Sequence, residues 1–202
     1  MKIAIISGSH RKKSESLKVA RFAETLVARE LPGVTTYLCS LSENPLPLWD
    51  EGVWSGDEKW KNIWGPIAQE LQSSDALVVI SPEWGGMVPA GLKNFFLLCS
   101  SAEVGNKPGL IVTVSASRGG AYPVAELRMS STKNNYLCYI PEHVIVRNAA
   151  HVLNGDTSAS EDDSFVRQRL TYALKLLGQY AAALRQVRES GVIDYKTYPF
   201  GM

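Results

Sequence analysis

Residues Gly8 to Ser16, Gly-Ser-His-Arg-Lys-Lys-Ser-Glu-Ser, follow an apolar run and turn abruptly small, hydroxylic and basic. Ser9, Ser14 and Ser16 offer hydroxyls, Arg11 offers a guanidinium, and the start of a helix adds backbone N–H groups and positive potential. That set suits an anion, specifically a phosphate. The stretch is not a Gly-x-Gly-x-x-Gly fingerprint, and no Gly-Lys-Ser/Thr follows as in a Walker loop. A terminal monophosphate held by side chains fits better than a dinucleotide. Two further stretches carry small residues at the end of an apolar run: Ser81-Pro-Glu-Trp-Gly-Gly-Met87 and Ser115-Ala-Ser-Arg-Gly-Gly-Ala121. In the first, Pro82 stops the run, Trp84 offers a flat apolar surface, and Gly85 and Gly86 let backbone approach a planar ligand.

The elements that must position these stretches are legible. Continuous runs rich in Ile and Val, at Lys2–Ser7, Ala76–Ser81, Leu110–Ser115 and His143–Arg147, predict buried parallel strands. Val34–Cys39 alternates and predicts an edge strand. Helical periodicity runs from a cap at Ser14 or Ser16 to Leu31, over Lys59–Ser73, from Pro89 through Cys99 and over about Pro123–Lys133. It is clearest at Val166, Leu170, Leu174, Leu177, Ala181 and Leu184, behind what looks like a capping box at Ser160–Asp163. Strands alternating with helices mean a parallel sheet covered on both faces. Ligands of such a sheet sit beyond the carboxyl ends of its strands, where all three loops converge. A planar ligand with a phosphate tail, flavin mononucleotide (FMN), matches that convergence.

The bulk properties narrow the function. The 202 residues are 45% apolar and 20% charged, with a formal net charge of +1, and predict one soluble domain over 1–202. No global field recruits nucleic acid or an acidic membrane, and the strongly acidic face of a small electron carrier is missing. Arg11-Lys12-Lys13 lacks the aromatic platform of a nucleic-acid module. No apolar run approaches the ~20 residues that span a bilayer, and the N-terminal residues show no signal-peptide pattern. Cys39, Cys99 and Cys138 are odd in number and far apart, as in a reducing cytoplasm, and with His10, His143 and His151 they form no metal-ligand spacing. The long segment Ser42–Glu58, with two prolines and two tryptophans, reads as a binding loop.

The chain resembles the NADPH-dependent FMN reductases of the flavodoxin-like superfamily, which include quinone, azo-dye and chromate reductases. Gly8-Ser9-His10-Arg11-Lys12-Lys13-Ser14 matches the family pattern Gly-Ser-x-Arg-x-x-Ser. Leu46-Pro-Leu-Trp-Asp50, Ser81 to Asn94 and Ser115 to Arg128 match its Leu-Pro-Leu-Tyr-Asp, Ser-Pro-Glu-Tyr-Asn…Leu-Lys-Asn and Gly-Gly…Leu-Arg segments, in the family's order. The resemblance implies a three-layer sandwich whose five-stranded sheet has the order 2-1-3-4-5. It implies that Ser9, Arg11, Ser14 and Ser16 bind the FMN phosphate. Pro82, Glu83, Trp84, Gly85 and Met87 would line the ribityl chain and ring, and Ser117, Gly119 and Gly120 would approach the other ring edge through backbone amides. No catalytic side chain and no metal are implied. It further implies ping-pong hydride transfer from NADPH, or NADH, through FMN to a quinone-like, azo or flavin acceptor, in a homodimer or homotetramer. The alternative is a flavin-binding electron carrier, or a sensory or scaffolding protein without turnover. The departures that matter are Ser16 for Asn, Trp84 for Tyr, Gly85 for Asn and Leu97 for Asp.

Overall fold

The structure is a computed structural model and describes residues 1–201. Five strands, β1 (Lys2–Ser7), β2 (Thr35–Ser40), β3 (Ala76–Pro82), β4 (Pro108–Val114) and β5 (Cys138–Val146), form one parallel sheet in the order β2-β1-β3-β4-β5. This is the flavodoxin-like order. The helices are α1 (Glu15–Glu30), α2 (Gly52–Ser55), α3 (Glu58–Ile63), α4 (Gly65–Gln72), α5 (Ala90–Leu98), α6 (Ser101–Val104), α7 (Ala121–Met129) and α8 (Glu161–Glu189).

Because side chains alternate across a strand, β1 feeds two apolar layers. Ile3 and Ile5 join Val19, Ala23 and Val27 of α1 and Leu170, Leu174 and Leu177 of α8 on one face. Ala4 and Ile6 join Leu71 of α4, Leu92 and Phe95 of α5 and Leu127 of α7 on the other. β3 and β4 are buried along their whole length, which explains their unbroken Val and Ile runs.

Several elements differ from the periodicity: the helix expected over about Pro123–Lys133 is α7, which ends at Met129, and the short helices α2 and α6 carry no periodic signal. The helix expected over Lys59–Ser73 is two, α3 and α4, because Pro66 has no N–H to give and its ring crowds the carbonyl of Asn62. β5 begins at Cys138, five residues earlier than its apolar run. It carries Pro141 because it is an edge strand with a register shift opposite Gly109 and Ile111. Arg128 donates to the Ile140 and Pro141 carbonyls there, at 2.8 and 2.9 Å. At the start of α8, Ser160 Oγ accepts the Asp163 N–H, as a cap should. Asp163 does not return to Ser160, however. Its carboxylate accepts the N–H groups of Leu153 and Ala159 instead.

Candidate functional site

The sheet order reverses between β1 and β3, and the loop after β1 opens at that switch point. The loop starts from fixed ends: Gly8 N–H donates to Ile80 O of β3, and Leu41 N–H donates to Ser7 O. A side chain at Gly8 would meet Leu92 Cδ2 at 2.6 Å and Ile80 O at 2.9 Å, so only glycine fits this strand exit. Ser9 is buried and its hydroxyl accepts the Arg11 N–H at 3.3 Å. Ser14 is the N-cap of α1, its Oγ accepting Leu17 N–H at 3.1 Å, which leaves the hydroxyl proton free to donate. Ser16 lies buried in the first helical turn.

Among the described residues, the N–H groups of Lys12, Lys13, Ser14, Glu15 and Ser16 meet no acceptor, and neither does the Ser16 hydroxyl. Arg11, Lys12 and Lys13 are exposed and form no ion pair within that set. At the end of β1 the Ser7 hydroxyl is fully buried without a partner. A cradle of unpartnered donors at a helix N-terminus, walled by hydroxyls and cations, fits a phosphate dianion.

The loop after β3 is a tight hairpin turn. Trp84 and Met87 exchange both backbone hydrogen bonds, and Gly85 (φ 58°) and Gly86 (φ 75°) supply the positive φ values of a type I′ turn. Trp84 is half-buried and Met87 exposed. The Trp84 indole faces the first loop and meets His10 edge-on, with ring centroids 4.7 Å apart. Tyr122, exposed at the start of α7, stands opposite Gly86.

The loop after β4 brings Ser117, Gly119 and Gly120 to the same edge, but with a different division of labour. Gly120 N–H donates to Glu83 Oε2 at 2.6 Å, so it is directed at the neighbouring loop and not outward. A Cβ at Gly120 would lie 2.4 Å from Ile145 Cγ2, and one at Gly119 would lie 2.6 Å from Glu83 Oε1. These glycines therefore make room for protein neighbours. The N–H groups of Arg118 and Gly119 have no partner among the described residues and remain as donors at this edge of the sheet. Glu83, expected beside the ring, straps the two loops together.

The segment Leu46–Asp50 is held by a residue whose role the sequence does not announce. Asn94 of α5, buried, accepts the Trp49 N–H through Oδ1 and donates to Pro47 O through Nδ2, both at 2.7 Å. Asp50 accepts from Trp60 Nε1 at 2.6 Å and Lys59 Nζ at 3.0 Å. These two hydrogen bonds hold its carboxyl below the usual range. The binding-loop candidate is thus pinned to the body, with Leu48 and Trp54 left exposed.

Fold and site together define a flavodoxin-like protein with a cradle of unpartnered donors at the switch point of its sheet. More narrowly, the chain belongs to the NADPH-dependent FMN reductase family, whose profile matches residues 1–151. It is 30% identical over 124 residues to a quinone reductase of Pseudomonas putida, a match covering 59% of this chain. The chain spans 63% of that relative's length. It is 24% identical over 158 residues to an NADPH azoreductase of Bacillus sp. strain OY1-2, covering 77% of this chain and 82% of the relative. Among solved structures it is similar to FerB, a flavoenzyme NAD(P)H:(acceptor) oxidoreductase from Paracoccus denitrificans. There the TM-score is 0.71 and the identity 19%, over 89% of this chain and 98% of that one. It is also similar to the NADH:FMN oxidoreductase EMOB, with TM-score 0.66 and 16% identity, over 90% and 89% of the two chains. These two likenesses speak for the fold.

Proposed function

We propose that the protein is an FMN-dependent NAD(P)H oxidoreductase that delivers electrons to a quinone-like, azo or flavin acceptor in a ping-pong cycle. The observation that carries this reading is the cradle of hydroxyls and N–H groups at the start of α1, where the N–H groups of Lys12 to Ser16, like the three cations beside them, have no partner among the described residues. When bound there, FMN supplies the chemistry itself, taking a hydride from NAD(P)H and passing it to the second substrate. The chain's residues bind and orient. Ser9, Arg11, Ser14, Ser16 and the N–H groups of the first helical turn hold the phosphate. Pro82, Trp84, Gly85 and Met87 line the ribityl and ring side, while Glu83 holds the two ring loops in register. Ser117 and the N–H groups of Arg118 and Gly119 face the ring edge where negative charge gathers on reduction. No side chain has to move a proton for this to work. The free cations around the phosphate loop, together with the family's cofactor habit, favour NADPH over NADH. The names of the relatives support quinones and azo compounds as acceptors.

The same reading places the chain as a single domain that works as a homo-oligomer in the cytoplasm. A groove of about 610 Å³ between α5 and α7, lined by Trp49, Trp54, Phe96, Leu97 and Leu127, supports a subunit contact. Leu97 and Met129 stand exposed on its two helices. The cysteines are free, and burial pushes the Cys39 thiol up to about 11, as suits thiols kept reduced and inert. No helix among the described residues is long and apolar enough to cross a membrane.

The test is the absorbance of the purified protein, identification of any released cofactor, and steady-state NADPH and NADH oxidation with menadione. Yellow protein with turnover is expected. Failure to bind FMN in a titration would overturn the reading. Bound flavin without turnover would point to the electron-carrier or sensory alternative.

A further inference from the structure

His10 fills the variable place of Gly8-Ser9-His10-Arg11, and its side chain leaves the phosphate loop altogether. It stands against Trp84 of the next loop, centroids 4.7 Å apart and planes at 88°, the edge-to-face arrangement aromatic pairs prefer. Its Nδ1 lies near the first turn of α5, where a Cβ added at Gly91 would come within 3.4 Å of it. The ring therefore bridges the hairpin turn and the start of a helix while staying open to solvent.

Trp84 has little else to hold it. It belongs to neither apolar layer of the sheet, and its only ring partner among the described residues is His10. The paired hydrogen bonds to Met87 fix its backbone but leave the indole to rotate. His10, in turn, lies between Ser9 and Arg11, the two residues assigned to the phosphate. Drawing those residues onto an anion fixes the backbone of His10, and with it the wall against which the indole rests.

We infer that His10 is a positioning residue that couples occupancy of the phosphate loop to the orientation of Trp84, and so to the shape of the face that receives the nicotinamide and the acceptor. This rests on the FMN reading above. It concerns a side chain outside the phosphate contacts and one that never touches the ring chemistry.

A double-mutant cycle on flavin affinity tests it, with FMN and riboflavin titrated by fluorescence into wild type, His10→Ala, Trp84→Ala and the double variant. An edge-to-face pair is worth about 2- to 10-fold in affinity, so His10→Ala should weaken FMN binding by that factor and change the emission of the bound flavin. The double variant should bind no more weakly than the weaker single. His10→Phe, which keeps a ring edge on the indole, should restore affinity and emission. Riboflavin, which has no phosphate to draw the loop in, should show a smaller penalty from His10→Ala than FMN does. Additive losses, or a Phe variant as weak as Ala, would overturn the positioning role. Equal penalties for FMN and riboflavin would overturn the coupling. A wild-type protein that binds no FMN at all would instead fail the parent reading, and this inference with it.

Discussion

The carboxylate of Glu83 accepts the N–H of Gly120 at 2.6 Å, joining the loop after β3 to the loop after β4 at the carboxyl end of the sheet. Gly120 O in turn accepts the Thr113 hydroxyl at 2.6 Å, so the turn into α7 is held from both sides. Removing the acceptor strands a buried N–H, which costs about 1–3 kcal/mol. Glu83→Ala should lower stability by that amount in urea unfolding, and weaken FMN binding as the two loops separate. Glu83→Gln keeps an acceptor oxygen and should lose less of both. An Ala variant with the wild-type urea midpoint and FMN affinity would show that the strap carries nothing.

Arg11 lies two residues after Ser9 in the loop at the start of α1 and has no acidic partner among the described residues, so its charge is available to an anion. A charge-assisted hydrogen bond is worth about 1.5–3 kcal/mol. Arg11→Ala should weaken FMN by the corresponding factor while leaving riboflavin affinity nearly untouched. Fluorescence titration with both flavins checks this, and an unchanged FMN affinity would remove Arg11 from the site.

Much of this architecture is legible in the sequence, because it rests on local composition. The short, Ile- and Val-rich apolar runs at Ile3–Ile6, Leu77–Ile80 and Leu110–Val112 read as strands buried on both faces, and they are. The small, hydroxylic loop after the first of them announces the cradle. What stays hidden depends on which neighbour the fold supplies. Gly119 and Gly120 read as room for a ligand, yet the missing side chains make room for Glu83 and Ile145. Asn94 sits in an amphipathic helix with nothing to mark it, and its clamp on Trp49 and Pro47 exists only once residues 45 and 47 positions apart meet. His10 is the variable letter of its motif, and its meeting with Trp84 joins two loops far apart in sequence. A signal was present only for the break between α3 and α4, since Pro66 inside a helical pattern implies one.

Asp163 offers a pH-dependent test of the long helix. It is almost fully buried. Burial pushes its pKa up, but the N–H groups of Leu153 (2.8 Å) and Ala159 (3.0 Å) and the Arg167 guanidinium (3.0 Å) outweigh burial and hold it below the ordinary value. A carboxyl with a lowered folded pKa contributes stability above its unfolded value, about 3.9, and loses it as pH falls through the folded one. Asp163→Asn should therefore be less stable than wild type at pH 7, by about 1.5–3 kcal/mol, the worth of hydrogen bonds to a charged group. The gap should shrink as the pH is lowered past 4. Urea unfolding at pH 7 and pH 3.5 measures both, and a gap that stays constant with pH would contradict the assignment.

Leu97 is 63% exposed on α5 between the buried Phe96 and Leu98, and it opens on the apolar groove shared with α7. If a second copy covers that face, a carboxylate there is buried without a partner, at a cost on the order of 3–5 kcal/mol. Wild type should sediment as an oligomer at micromolar concentration and Leu97→Glu as a monomer with an unchanged far-ultraviolet spectrum. An oligomer that survives the substitution would put the subunit contact on another face.

Trp84 separates a ligand wall from a core residue. Truncating a packed core tryptophan costs about 3–5 kcal/mol through lost burial and the cavity left behind. The indole here is half-buried, flanks a two-residue turn, and joins neither layer of the core. Trp84→Ala should therefore cost less than about 1.5 kcal/mol, near the energy of its one aromatic pair. An indole beside a flavin quenches it, so the emission of bound FMN should rise in the same variant. The slot it borders should also widen, so turnover of bulky acceptors should fall less than that of small ones, which lose stacking and gain nothing from the space. Thermal unfolding and flavin emission on one preparation decide between the two placements: a large loss of stability with unaltered emission would put the indole in the core and remove it from the site.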